Sequence, residues 1–413
     1  LLPSVFLFVS GCTIISRKKG KRLKSLSDEI LNLIEDSDLS YKEVAHMAGV
    51  SARSIYEIKN RGTIGFITML KIAQVCNGAD YHEKMTKWCH LLTTTEGIKH
   101  AFEYAAIKRD IALLGDLLDN AEGDDSLSAY YGIYSLIYKF MKKEIAFLDL
   151  YDLLKQVRIS KDKNLAIIVD IYKCYLLYYQ KDFLGILQMA NVIEKEIQNI
   201  GQDRSAFFRQ CYIYRLAEVL MPVHLHFNNF EASRKFAKIL LYSNISSKTM
   251  SDGYYCIGMT YLGRDKEVCL KSLERSYELM KEIERSDLIE ESRMHLELAR
   301  LYYEVKEGAS IKGVAGFAER MQFKSDSDFI KYFEYRLENS LSKLYEGYKY
   351  FFSRKNFLFA NLIADDLACF GVDSAQVEAL KSINLNEKVE FNFEEEVVSC
   401  FSHWSRINIA RVS

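Results

Sequence analysis

The chain has 413 residues, 55 Lys and Arg against 56 Asp and Glu, 49% hydrophobic residues and two prolines. That length admits two or three ordinary domains, or a small domain and a long repeat array, and a net charge of −1 excludes a polycation that coats nucleic acid along its whole length. So few breakers, with abundant Leu, Lys, Glu, Ile and Tyr, predict an all-α chain.

The charge is unevenly placed. Residues 17–92 hold thirteen Lys or Arg against nine Asp or Glu, a net of +4, which leaves −5 for the rest of the chain. The basic end is the expected nucleic-acid end. Nine cysteines, Cys12, Cys76, Cys89, Cys174, Cys211, Cys256, Cys269, Cys369 and Cys400, are scattered with no pair at metal-ligand spacing. An odd, unpatterned set implies reduced thiols in a cytosol.

Residues 1–22 read as a leader apart from the folded part. Residues 1–15 are apolar but too short to span a bilayer, and Val9-Ser10-Gly11-Cys12 has the look of a lipoprotein cleavage box. The basic cluster Arg17, Lys18, Lys19, Lys21, Arg22 and Lys24 follows the apolar run, the reverse of a signal peptide's order, so no membrane attachment is expected.

Residues 23–92 predict a small helical domain. An amphipathic helix over 23–35 carries Leu26, Ile30, Leu31 and Ile34 on one side. A second helix over 41–48 is opened by Ser40, with Glu43 completing a capping box, and is ended by Gly49 in a left-handed turn. A third is capped by Ser51 and runs to about Asn60. Val44, Ala45, Ala48, Val50, Ile55 and Ile58 are spaced to bury one face of each short helix against the other, which makes a helix-turn-helix. Arg53, Ser54, Tyr56, Glu57, Lys59, Asn60 and Arg61 then point outward, the residue types that touch base edges and phosphates from a helix in the major groove. Two more helices, over 66–76 and 80–91, complete the domain.

From 96 to 383 helix pairs follow one another: 97–109 with 111–120, 127–143 with 145–157, 164–181 with 183–199, 205–227 with 230–242, 250–262 with 266–283, 288–306, and 328–352 with 358–370. Their spacing is that of a tetratricopeptide-like superhelix. The clearest unit has Gly258, Tyr261, Leu270, Leu273 and Tyr277 in the small-then-aromatic pattern. Residues 384–413 form a tail in which Val397, Val398, Phe401 and Trp404 suit a capping or dimerisation helix.

The chain carries no glycine-rich phosphate loop, nucleophile elbow or paired metal motif, so neither an enzyme nor a cofactor is expected. His224 and His226, two apart on a helix, point to different sides. Arrays of this type bind extended peptides through polar side chains of their inner helices. The helix over 205–227 offers Arg209, Gln210, Tyr212, Tyr214 and Arg215, and Asn228, Asn229 and Arg234 follow at once.

A helix-turn-helix head followed by such repeats resembles the peptide-sensing regulators of Gram-positive bacteria and their phages, and above all the arbitrium receptors of temperate phages. The resemblance lies in the head over 44–61 and the junction from Lys84-Met85-Thr86-Lys87-Trp88-Cys89 to Ala101-Phe102-Glu103-Tyr104-Ala105, and extends through 209–234 and 254–276 to about Phe370. It implies a homodimeric cytosolic activator that binds double-stranded operator DNA and is switched off by a short signalling peptide, so that lysogeny replaces lysis. Carried onto this chain, the resemblance puts the DNA contacts on Lys42, Ser51, Arg53, Ser54, Tyr56, Lys59, Asn60 and Arg61, and the peptide groove on Gln210, Tyr214, Arg215, Asn228, Asn229 and Arg234. The alternative reading is a repeat protein that grips another protein without specific DNA binding.

Overall fold

The structure, a computed structural model, describes residues 25–61, 64–159, 162–201, 205–283, 285–308 and 327–382, with backbone alone at Arg61. The predicted leader and tail lie outside the described residues. Among the described residues all regular structure is helical, and the chain divides into two compact units on either side of Leu92.

The first unit comprises α1 (Leu26–Glu35), α2 (Tyr41–Ala48), α3 (Ala52–Arg61), α4 (Phe66–Asn77) and α5 (Tyr81–Cys89). α1 begins at Leu26, three residues later than its apolar pattern suggests, because Ser25 caps it: the Asp28 amide donates to the Ser25 hydroxyl at 3.2 Å and the Ser25 amide to the Asp28 carboxylate at 3.1 Å. The same reciprocal box opens α2, with 3.3 Å from the Glu43 amide to the Ser40 hydroxyl and 2.8 Å from the Ser40 amide to Glu43. Each box satisfies two amides that the helix cannot, worth about 1 kcal/mol. Gly49 ends α2 at φ 61°, a left-handed backbone that a side chain would strain. Ile30, Ile34, Val44, Ala45, Ile55, Ile58, Met69, Ile72, Ala73, Met85 and Trp88 are buried and supply the core.

The second unit is a run of helix pairs: α6 (Thr95–Lys108) and α7 (Ile111–Ala121), α8 (Ser128–Met141) and α9 (Phe147–Gln156), α10 (Lys163–Tyr179) and α11 (Phe183–Gln198), α12 (Ala206–His226) and α13 (Phe230–Ser243), α14 (Ser247–Tyr261) and α15 (Lys266–Lys281). α16 (Ser286–Lys306), α17 (Asp328–Leu337), α18 (Leu341–Ser353), α19 (Phe357–Cys369) and α20 (Ser374–Ser382) follow. Residues 328–352, which read as one helix in sequence, are two. Asn339 takes φ 47° and the Ser340 hydroxyl accepts the Lys343 amide at 3.3 Å, so a left-handed stop and a fresh cap sit side by side.

The turns inside the pairs reuse one device. Arg109, Lys181, Asn228 and Lys355 are left-handed, with φ of 60°, 60°, 58° and 57°. The residue after each, Asp110, Asp182, Asn229 or Asn356, caps the next helix through an amide three residues on, at 2.9, 3.1, 3.3 and 3.4 Å. A stop and a start in consecutive residues fold the two helices back as a hairpin. Where α14 meets α15 the contact is close: a Cβ on Gly258 would lie 2.9 Å from Leu273 Cγ and 3.1 Å from the Cys269 carbonyl oxygen. No described helix is long and apolar enough to cross a membrane.

Candidate functional site

In the first unit, α3 buries Ile55 and Ile58 and turns its polar residues outward. Lys42, Ser51, Arg53, Tyr56, Lys59 and Asn60 are exposed and Ser54 is half-buried; the Arg61 side chain lies outside the described residues. Ser51 caps α3, its hydroxyl accepting the Ser54 amide at 3.1 Å and lying 2.7 Å from the Ser54 hydroxyl. Tyr56 rests edge-to-face on Tyr41 with centroids 5.9 Å apart, and the Tyr41 hydroxyl donates to Glu35 at 2.9 Å. Arg53 Nε donates to Glu57 at 3.1 Å.

In the second unit, the first helices of successive pairs share a polar and aromatic wall. Its deepest part is ionic. Arg215 on α12 donates to Glu103 on α6 through Nε at 2.8 Å and Nη2 at 3.3 Å, and the Tyr134 hydroxyl on α8 gives Glu103 a third bond at 2.8 Å. Glu103 is 0% and Arg215 6% exposed. Burial works against the Arg215 charge, but the Glu103 carboxylate and neighbouring tyrosines more than offset it, so the guanidinium stays charged. Burial, then Glu103, pushes the Tyr134 phenol up, which keeps it a donor.

A second, more open cluster lies one turn along. Arg109 Nη2 donates to Glu218 at 2.9 Å, and the Tyr175 hydroxyl donates to the other Glu218 oxygen at 2.8 Å. Half of the Arg109 side chain is exposed. Farther on, the Tyr255 and His295 rings lie tilted against each other with centroids 4.6 Å apart, and burial holds His295 down to about 4. Burial, then the nearby Cys256, Asp252 and Asp328, raises the Tyr178 phenol. His226 stacks on Phe183 at 4.6 Å, whereas His224 stacks on Phe236 at 5.5 Å, so the two imidazoles serve different neighbours.

The six residues read from sequence as a peptide groove have different surroundings. Gln210 is half-buried on α12. Tyr214 is buried and its hydroxyl pairs with that of Thr249. Arg215 is committed to Glu103. Asn228 stands at the α12–α13 turn and donates to the Phe357 carbonyl at 3.0 Å, Asn229 caps α13, and Arg234 on α13 donates to Thr260 at 3.2 Å and lies over the Tyr261 ring at 5.1 Å. Four of the six thus tie one helix to another, and Asn229 caps its own. The polar and aromatic residues here that sequence reading missed are Tyr175, Tyr178, Glu218, Tyr255 and His295. A signal that could have found them is a polar or aromatic residue repeated at i, i+3 on one helix face, as at 175 and 178 or 215 and 218. Such a wall can hydrogen-bond the backbone and side chains of an extended ligand. Among the described residues no group of His, Cys, Asp and Glu is placed to hold a metal ion.

The fold resembles solved phAimR structures. The selenomethionine form of phAimR matches at a TM-score of 0.62 and 14% identity, covering 86% of this chain and 100% of that one. A ligand-bound phAimR matches at 0.58 and 14% identity, covering 75% of this chain and 98% of that one. No curated protein sequence matches. The family described as AimR transcriptional regulator-like, a family of regulators rather than enzymes, matches residues 81–368. With well over half its length matched, from α5 through most of α19, the chain belongs to the AimR transcriptional regulator-like family.

Proposed function

We propose that this chain is a peptide-controlled, DNA-binding transcription regulator of a temperate phage, acting as a homodimer in the host cytosol. The head binds operator DNA with Lys42, Ser51, Arg53, Ser54, Tyr56, Lys59, Asn60 and Arg61. A short signalling peptide binds along the inner wall, meeting Gln210 with Tyr175, Tyr178, Glu218, Tyr255 and His295, while Tyr214, Arg215, Asn228, Asn229 and Arg234 hold the frame. The observation that carries the reading is the polar, exposed face of α3, behind a left-handed Gly49, in a chain whose second unit belongs to a regulator family.

Control follows from linkage. A peptide that binds one arrangement of the array about 100-fold better than another biases the equilibrium by roughly 2.7 kcal/mol toward it. If that arrangement spaces two heads wrongly for their half-sites, DNA is released and the lysis-promoting gene falls silent. The test is a mobility-shift titration of the full chain on fragments of its genomic neighbourhood, with and without synthetic peptides matching short reading frames encoded downstream. Binding abolished by one peptide supports the proposal. Binding of no fragment at any salt concentration removes it and leaves the repeat protein that grips another protein.

A further inference from the structure

The recognition helix carries a charge arrangement that helix stability does not account for. Arg53 is the second residue of α3 and Glu57 lies one turn later. A cation in the first turn opposes the helix dipole, and an arginine placed before its glutamate is the less favourable order for an i, i+4 pair. The pair is exposed, with 83% of the Arg53 side chain and 35% of the Glu57 side chain accessible, so it adds little to stability in any order. Glu57 also puts a carboxylate on the face that the proposed function turns toward a polyanion, where it weakens binding unless it serves a neighbour.

One such neighbour is Arg53. Glu57 takes the Arg53 Nε at 3.1 Å, at the base of the guanidinium fork. That bond uses Nε and leaves the terminal Nη1–Nη2 edge outside it, on a side chain that is 83% exposed. That edge matches the paired O6 and N7 acceptors of guanine in the major groove, and residues near the start of a recognition helix are those that meet base edges.

We propose that Arg53 reads a guanine through its terminal Nη1–Nη2 edge, and that Glu57 is the positioning residue that presents this edge. The inference rests on the DNA-binding reading above and adds the base that is read. Selection from a random-sequence duplex library, with the peptide-free full chain, gives the wild-type motif; the selection is repeated with Arg53→Ala, Arg53→Lys and Glu57→Ala, thermal unfolding confirming that each variant folds. Arg53→Ala is expected to erase one fixed guanine and weaken the selected site by about 10- to 100-fold. Arg53→Lys is expected to weaken the preference for the same guanine while keeping the salt dependence, because a lysine preserves the charge but not the planar fork. Glu57→Ala is expected to blur that guanine while binding random DNA more tightly, two opposite changes that a purely structural role does not produce. A motif that keeps its guanine in Arg53→Ala overturns the proposal. So does Glu57→Ala that alters a cytosine instead, which makes the carboxylate a base reader itself. If the wild-type chain enriches no motif, the DNA-binding reading fails and this inference with it.

Discussion

Arg215 lies on the helix that sequence patterning offers as a ligand surface, yet it is tied into a buried ion pair, and removing it separates the two roles. Arg215→Ala leaves the Glu103 carboxylate, 0% exposed, with the Tyr134 hydroxyl and without the two guanidinium bonds at 2.8 and 3.3 Å. Stranding a buried charge costs roughly 3–5 kcal/mol. Glu103→Gln keeps the shape and removes the charge, so the buried guanidinium becomes the stranded partner and a loss of similar order is expected. The double variant Glu103→Leu with Arg215→Met removes both charges and fills the space. It is expected to recover most of the stability, because an apolar pair of similar volume needs no desolvation of ions. The assay is urea unfolding of the full chain followed by far-ultraviolet circular dichroism, set out as a double-mutant cycle. Arg215→Ala within about 1 kcal/mol of wild type, or a double variant less stable than both singles, refutes the reasoning. The same double variant separates frame from ligand contact: if Arg215 only holds the wall, the refolded wall still binds peptide.

Three further outcomes are expected. Ser40→Ala removes the hydroxyl that accepts the Glu43 amide at 3.3 Å and is expected to cost about 1 kcal/mol, read as a lower melting temperature of the head, whereas Ser40→Asp retains the cap. Gly258→Ala places a methyl 2.9 Å from Leu273 Cγ and 3.1 Å from a backbone oxygen, and is expected to destabilise the array by roughly 1–3 kcal/mol; a neutral result in denaturant titration means α14 and α15 separate freely. Stability is also expected to fall on acidification. His224 is 2% exposed and burial holds its imidazole from 6.5 down to about 4, so between those values the unfolded chain takes up the proton and the folded chain does not. That contribution, roughly 3 kcal/mol at most, is present above about pH 6.5 and lost as the pH falls toward about 4. His224→Phe is expected to flatten this slope, and an unchanged pH profile of melting temperature counts against it.

What the sequence determined by itself is the local grammar of the chain. Ser40, Glu43, Gly49 and Ser51 each act within about four residues, through a cap, a box or a left-handed stop, and the structure places all of them as their patterns predict. The all-helical class and the helix pairs were likewise legible, since apolar periodicity and scarce prolines act along the chain. Even the break at Asn339 and Ser340, which apolar periodicity bridges, follows local rules. Tertiary structure alone decided which polar residues on the inner helices are frame and which face outward. Arg215 meets Glu103 across 112 residues, Arg109 meets Glu218 across 109, and Tyr175 meets Glu218 across 43. An arginine on a helix has the same sequence signature whether its partner is water, a ligand or a buried carboxylate. The difference lies in desolvation, which depends on what the rest of the chain packs around the side chain.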